Sequence, residues 1–414
     1  MRLLVSFSAL FLSVLFVQMG LGALRPFDTI SGQALNFSSV EIGLIASGHF
    51  AGFLIGCIVS PRLALRVGHS RSFVVMVSIA TITIVAHPLF PDPYIWAFIR
   101  VGSGFAVAGC YTVIESWLQA KLTNKIRGRI FGVYRMVDLS GQLLANGIIA
   151  ILTPASYVSY NIIAIVMCLS ALPLAMTQSK EPALPRNIAF KPLVAFHISP
   201  LATLGVVVAG ISTAAFGSVA PIYAVEMGLS IGGVAVFLIV SILGGMVSQV
   251  PAGMLADRLL SRRSVLMLFS ILATITCIGM STQLTSLYIM NIPAIHIFAF
   301  LFGFTTFPIY SVCAAHANDF AARDQILNLS ASLIFFYAVG AIVSPLVAGY
   351  IIDNFGASMM FVYISLAHIV LLFYTIYRNF IRPAVKLVHP YAYVPRTTLF
   401  IANILRNRGG TAKK

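Results

Sequence analysis

Twelve runs of about 20 mainly apolar residues follow one another along this chain, the length a helix needs to cross the hydrocarbon core of a bilayer. With approximate edges they cover residues 3–32, 39–60, 72–90, 94–118, 129–151, 157–177, 199–224, 231–255, 264–282, 287–312, 326–350 and 357–377. In lipid a segment must satisfy its own backbone hydrogen bonds, so each run predicts a helix. Strands of a membrane barrel would alternate apolar and polar residues over about ten positions, and these runs do not. Composition agrees: 59% of the 414 residues are hydrophobic, 9% are charged, and the mean hydropathy is +0.97. A soluble domain carries about 25% charged residues. The expected class is an all-α integral membrane protein. The net charge of +15 sits between the runs and not on one patch, which argues against a nucleic-acid partner.

Lys and Arg orient the spans. With the N-terminus in the cytoplasm, 23 of the 26 basic residues fall in cytoplasmic segments, and the remaining three, Arg25, Arg100 and Arg135, lie within spans. Both ends of the chain are then expected inside. The first run exceeds the 7–15 residues of a secretory apolar region and lacks a clean cleavage site, so it reads as a retained helix. Pro26 predicts a kink or tilt there. Ser38 and Glu41 form a capping-box pattern at the start of the second span. The five cysteines fall inside apolar runs without metal spacing and read as buried, unpaired thiols.

The stretch between residues 177 and 199 holds three prolines and divides the spans six and six. The expected organisation is a first half over 1–177, a linker over 178–198, a second half over 199–378 and a basic tail over 379–414. The halves also resemble each other. Pro26-Phe27 aligns with Pro221-Ile222, PRLALR at 61–66 with GMLADR at 253–258, and Gly104 with Tyr111 aligns with Gly303 with Tyr310. Internal repeats of this kind place a substrate site near the midplane.

Formal charges inside apolar runs single out candidate functional residues, because at bilayer depth each costs about 2.5–3.5 kcal/mol on insertion scales. In the fifth span Arg135, Asp138, Gln142 and Asn146 are spaced 3, 4 and 4, which puts them on one helix face. That stripe either faces a solute or proton pathway or holds helices together by polar contacts. Arg25 and Asp28 repeat the i,i+3 arrangement in the first span, where snorkelling to the interface is an equal reading. Arg100 lies deep in the fourth span and requires a partner. Glu115, nearer the cytoplasmic end of that span, is either a proton carrier or the partner of a loop arginine such as Arg62, Arg66 or Arg127. Asp257, at a helix end, can face the positive N-terminus of the fifth helix as a gate contact. His49, His296, His316 and His368 lie in or near spans with no shared spacing and read as packing residues.

Over nearly its whole length the chain resembles the major facilitator superfamily. GMLADRLLSRR at 253–263, with Asp257, Arg258 and Arg262, looks like that family's cytoplasmic loop motif with one extra residue before the Arg pair; in the first-half copy Leu65 stands at the Asp position, followed by Arg66. RVGSG at 100–104 is similar to the fourth-helix motif whose Arg is linked to proton coupling. Tyr111 and Glu115 followed by Arg127-Gly128 look like a fourth-helix Glu with a loop Arg-Gly, which favours the pairing reading of Glu115. GAIVSP at 340–345 resembles a Gly-x-x-x-Gly-Pro motif with Ser344 in place of the second Gly. At finer grain, VIESWL and GFTTFPIYSVCAAHAND resemble the YcaD branch. The resemblance implies twelve helices in two pseudo-symmetric halves.

The expected function is transport of a small solute through the inner membrane, with the proton as coupling ion, lipid as surroundings and a monomer as the working unit. Arg100, Arg135, Asp138, Gln142, Asn146, Arg25 and Asp28 are the expected transport residues. Glu115, Arg66, Arg127, Asp257, Arg258 and Arg262 are the expected gating residues. No nucleoside-triphosphate loop, metalloprotease motif or nucleophile–base constellation occurs, so neither enzyme chemistry nor a cofactor is implied. The alternative is a non-transporting sensor or scaffold on the same fold. The fifth span lacks the Gly-Pro motif of many drug antiporters in the family, which argues against multidrug efflux; direction of transport stays open.

Overall fold

Each apolar run contains a crossing helix among the described residues. The computed structural model describes residues 2–120, 127–176, 191–256, 261–289, 292–322 and 325–381. The helices are α1 (Arg2–Ala34), α2 (Ser39–Val67), α3 (His69–Ala86), α4 (Pro93–Ala120), α5 (Arg127–Ile149), α6 (Tyr157–Leu169), α7 (Ala171–Ala175), α8 (Val194–Ile198), α9 (Pro200–Glu226), α10 (Ile231–Met254), α11 (Arg262–Met280), α12 (Ala294–Thr306), α13 (Ile309–Asn318), α14 (Ile326–Phe355) and α15 (Met359–Ile381). α6 with α7, and α12 with α13, each make one broken crossing.

Eleven of the crossings among the described residues are long and apolar enough to span a bilayer by composition alone. The twelfth is α5. Its 23 residues reach about 34 Å at 1.5 Å per residue, as long as the hydrocarbon core is thick. Its charged and amide residues lower its apolar content, and it is housed by packing along α1. The tenth crossing differs from expectation. It runs from Ala294 to Asn318, not over 287–312, because Tyr288–Ile289 (β1) pairs antiparallel with Ile292–Pro293 (β2) before the helix starts. At its other end His316 and Ala317 stay helical because they are buried.

The chain divides into two compact units. Among the described residues, unit 1 holds α1, α2 from Leu44 onward and α3 to α7; unit 2 holds Ser38–Gly43 and α8 to α15. In unit 1, α1 packs on α5, α6 and α4, and α3 on α4 and α6. In unit 2, α9 packs on α14, α13 and α15, α10 on α12, and α11 on α15 and α12. The Ser38–Glu41 capping box forms, with Glu41 N–H donating to Ser38 Oγ at 3.2 Å and Ser38 N–H to Glu41 Oε2 at 2.8 Å. Beside it in unit 2, the Asp353 carboxylate accepts the N–H groups of Ser39 and Val40 at 2.9 and 3.0 Å.

Each unit brings two helix backbones together through glycine. Gly48 and Gly52 of α2 lie against the carbonyls of Ala97 and Val101 of α4, and Gly104 of α4 lies against the carbonyl of His49. Unit 2 repeats the device, with Gly244 of α10 on the Phe300 carbonyl and Gly303 of α12 on that of Ser241. Small residues permit such approach, which stands in for hydrophobic driving force between helices in lipid. Of the cysteines, Cys57, Cys110, Cys277 and Cys313 are buried and form no disulfide, as expected. Cys168 is unpaired but exposed, because it lies on the outward face of α6 beside Thr81.

Candidate functional site

Unit 1 contains two buried polar clusters, one toward each end of α4. The first centres on Asp28, near the end of α1 and 2% exposed. Its Oδ2 lies 3.4 Å from Arg100 Nε and 3.2 Å from His87 Nε2, and its Oδ1 accepts the Tyr160 hydroxyl at 3.0 Å. α1, the turn after α3, α4 and α6 thus meet at one carboxylate. His87, in the 3-10 turn His87–Leu89, is fixed on both sides. Its Nδ1 donates to the Thr83 carbonyl at 2.6 Å, and its own carbonyl accepts Trp96 Nε1–H at 2.9 Å. Its ring stacks on Tyr160 and meets Trp96 edge-on, with centroids 5.5 and 5.0 Å away. The Arg100 guanidinium, 1% exposed, also donates to Ser103 Oγ at 3.4 Å, and His49 Nδ1 lies 3.4 Å from the same oxygen.

The second cluster lies about 11 residues further along α4, roughly 16 Å by helix rise. Arg135 pairs with Asp138 one turn on, as their spacing predicts, and the Tyr111 hydroxyl donates to Asp138 Oδ1 at 2.7 Å. Glu115, fully buried, accepts the Tyr134 hydroxyl at 3.1 Å. Arg135 is the accessible member, with its side chain 30% exposed against 2% for Asp138. Gln142 is half-buried; Asn146 is buried and returns its side-chain N–H to the Gln142 carbonyl at 2.8 Å.

Unit 2 makes the matching tie without charge. By the repeat that aligns Pro26 with Pro221 and Gly104 with Gly303, Asp28 corresponds to Tyr223 and Arg100 to Ala299. Tyr223 donates to the Met280 carbonyl at the end of α11 at 3.0 Å and lies 3.1 Å from Thr285 Oγ1. Both Tyr223 and Ala299 are buried among aromatic and apolar groups, so joining the first helix of a unit to the end of its third needs no ions.

Several expectations change in detail. Asp28 does not snorkel: it is enclosed, because the turn after α3 and helices α4 and α6 each supply it a partner. Arg25 is half-buried, with its guanidinium 5.5 Å over the Phe50 ring. Arg62 and Arg66, two of the three arginines considered for Glu115, are exposed. Arg262 is buried at the start of α11, its Nε 3.3 Å from Asp319 Oδ2. Asp257 and Arg258 lie outside the described residues, as does the side chain of Arg127. Sequence reasoning missed His87, Tyr160, Tyr134 and Asp319, and it named Tyr111 without its carboxylate partner. The signal for His87 was its place in His-Pro at the end of an apolar span, where a histidine ring reaches neighbouring helices.

Comparison with known proteins agrees with this architecture. The family model described as Major Facilitator Superfamily matches residues 10–319 and 202–390. An uncharacterized MFS-type transporter of Enterobacter sp. (strain 638) is 27% identical over 341 residues, covering 81% of this chain and 86% of that protein. The uncharacterized MFS-type transporter YcaD of Escherichia fergusonii is 22% identical over 328 residues, covering 78% and 83%. Among solved structures, a bacterial homolog of the human lysosomal transporter Spinster, inward-facing and unoccupied, superposes with TM-score 0.75 at 15% identity, covering 92% of this chain and 98% of that one. The D-xylose-proton symporter superposes with TM-score 0.66 at 15% identity, covering 94% and 98%. These structures share the fold. With a family match spanning most of its length, two six-helix halves and relatives in the YcaD branch, the chain belongs to the Major Facilitator Superfamily of membrane transporters.

Proposed function

We propose that the protein is a secondary active transporter that moves a small solute across the inner membrane by alternating access, with the proton as coupling ion. The observation that carries this reading is the contrast between the units. Unit 1 buries Asp28, Arg100, Glu115 and Asp138, whereas unit 2 has Tyr223 and Ala299 at the positions of the first two. Intramembrane charges are costly and mark ion or substrate pathways, and the neutral tie in unit 2 supports a role beyond packing for Asp28 and Arg100. The D-xylose-proton symporter among the fold neighbours supports a proton-coupled reading.

In this reading Arg135 and Asp138 sense the solute. The buried Asp138 carboxylate is paired with Arg135, the more accessible of the two side chains, so a ligand that attracts Arg135 competes for it while Tyr111 keeps its bond. Drawing Arg135 away leaves a carboxylate that must take a proton or remain an uncompensated buried charge. A thermal-shift panel of metabolites identifies a solute that binds the folded protein. In proteoliposomes without a membrane potential, a gradient of one pH unit is then expected to sustain about tenfold accumulation of an uncharged solute moved with one proton. Asp138→Asn is expected to reduce accumulation to about the external level while preserving exchange. Binding without any solute-dependent proton movement would leave a sensor or scaffold in place of a coupled transporter.

The orientation proposed is both ends cytoplasmic, from the placement of Lys and Arg. C-terminal reporter fusions after residues 180 and 414 are expected to give cytoplasmic signals. An extracytoplasmic signal at either place would reject this orientation.

A further inference from the structure

We infer that the solute is a small organic anion with a single carboxylate, which takes Arg135 from Asp138 and enters together with one proton. The inference rests on the coupled-transport reading for its setting, and it adds the chemical class of the solute. It starts from which charges water can reach. The acids within the spans of unit 1, Asp28, Glu115 and Asp138, are 2%, 0% and 2% exposed. The Arg135 side chain is 30% exposed, and Arg25 is half-buried. A charge that solvent reaches at bilayer depth faces a water-filled space and not lipid. Among the described residues, the spans of unit 1 thus present arginine to that space and enclose their carboxylates.

That pattern decides the sign of the solute. A cation would be repelled by Arg135, and the carboxylate it needs, Asp138, is enclosed. An uncharged solute offers Arg135 weaker hydrogen bonds than the carboxylate it has to displace. A carboxylate matches Asp138 in charge and supplies the paired oxygens that fit a guanidinium fork, so it competes on even terms. A doubly charged phosphate would leave one negative charge uncompensated.

The balance of charge follows. Before binding, guanidinium faces the Asp138 carboxylate. After binding, the guanidinium holds the solute, and Asp138 gains an O–H bond to a proton taken from water. No covalent bond of the solute is made or broken. The net charge of the site is unchanged, so no uncompensated charge is left at bilayer depth. The titratable neighbours of Asp138 on α4 are Tyr111, which donates to it, and Glu115, which accepts the Tyr134 hydroxyl of α5. α1, packed along α5, has no titratable residue between Phe7 and Leu24.

The lining bears on the rest of the solute. Gly141 of α5 lies against Leu15 and Gln18 of α1, and Gly22 of α1 lies against Ala145. This register sets Leu15 and Gln18 beside the turn from Asp138 to Gln142. Leu15, Gln18, Met19 and Gln142 are all half-buried. Two apolar side chains and two amides next to an arginine suit a carboxylate on an apolar body with few polar groups.

The test is calorimetric titration of the purified full-length protein with aliphatic and aromatic monocarboxylates, each run beside its own amide and amine analogue, in buffers of different ionisation enthalpy. Carboxylates are expected to bind in preference to their amides and amines. Binding is expected to take up about one proton in wild type and about none in Asp138→Asn. Arg135→Gln is expected to weaken carboxylate binding about 10–100-fold. Arg135→Lys is expected to weaken it less, because the charge stays while the fork is lost. If Arg135→Gln is not monodisperse, the wild-type ranking decides alone. A panel in which no carboxylate binds better than its amide or amine overturns the proposal, as does undiminished binding to Arg135→Gln.

Proteoliposomes, corrected for protein-free vesicles, supply a second readout. A carboxylate and its proton carry no net charge together, so an inside-negative potential is expected to leave accumulation of the bound carboxylate unchanged. The same potential would raise the accumulation of an uncharged solute moved with a proton. Proton-driven accumulation of an amide or amine would overturn the anion class and keep the coupled reading. Arg135-dependent carboxylate binding without proton uptake would overturn the exchange with Asp138 and remove the coupled reading.

Discussion

Asp28→Ala is expected to destabilise the purified protein by about 3–5 kcal/mol, the cost of leaving a buried guanidinium without its counter-charge. Arg100 is 1% exposed and Asp28 faces it at 3.4 Å, so neither water nor a surface carboxylate can replace the lost partner. Arg100→Ala is expected to fall in the same range, from the opposite side of the pair. The double variant Asp28→Tyr with Arg100→Ala imports the arrangement of unit 2, where Tyr223 and Ala299 hold the same positions. Because a buried pair is often replaced by neutral groups at little net cost, this variant is expected to recover most of the stability of either single change. It is also expected to fail in proton-driven accumulation. Equilibrium unfolding in detergent of wild type, Asp28→Tyr, Arg100→Ala and the double variant forms a double-mutant cycle that measures the coupling. Additive losses would mean that Asp28 and Arg100 do not stabilise each other.

Gly104→Val and Gly303→Val are each expected to cost about 3 kcal/mol or more, at the upper end of overpacking. A Cβ at Gly104 would strike the His49 carbonyl, and one at Gly303 the Ser241 carbonyl. Both obstacles are main chain of a long helix, so no rotamer change can relieve them; the helix pair has to move apart. Gly147 of α5 is the control. Nothing lies within 4 Å of a Cβ built there, and Gly147→Ala is expected to be neutral or stabilising by up to about 1 kcal/mol through helix propensity. Thermal unfolding of the three variants separates these outcomes. A Gly104→Val protein as stable as wild type would show that α2 and α4 are less closely held than described.

The fold was legible because its signal is local. Apolar runs, prolines and the Ser38–Glu41 cap are properties of neighbouring residues, and the Arg135–Asp138 pair follows from one turn of helix. The same local rule misled at Asp28. Arg25, three residues earlier, was the visible partner, but Asp28 is held from the turn after α3, from α4 and from α6, with Tyr160 lying 132 residues away. Such partners are set by which helices touch, and that depends on close approaches such as Gly104 on His49, which spacing does not encode. The tenth crossing was misplaced for a related reason. Its starting edge is set by a two-residue strand pairing and its final turn by burial of His316, both tertiary. Tyr134 went unnoticed, and Tyr111 was noticed only as part of a motif, because a tyrosine in an apolar run looks like filling until its hydroxyl is seen on a carboxylate.

The polarity of α5 also has a consequence in parity. Eleven crossings, an odd number, would leave the two ends of the chain on opposite faces of the membrane and turn every helix after α4 upside down. Twelve, an even number, return the chain to the face it left. A count by apolar content passes over α5, so Arg135 and Asp138, the residues proposed to couple transport, are also the ones that would invert the rest of the protein on paper.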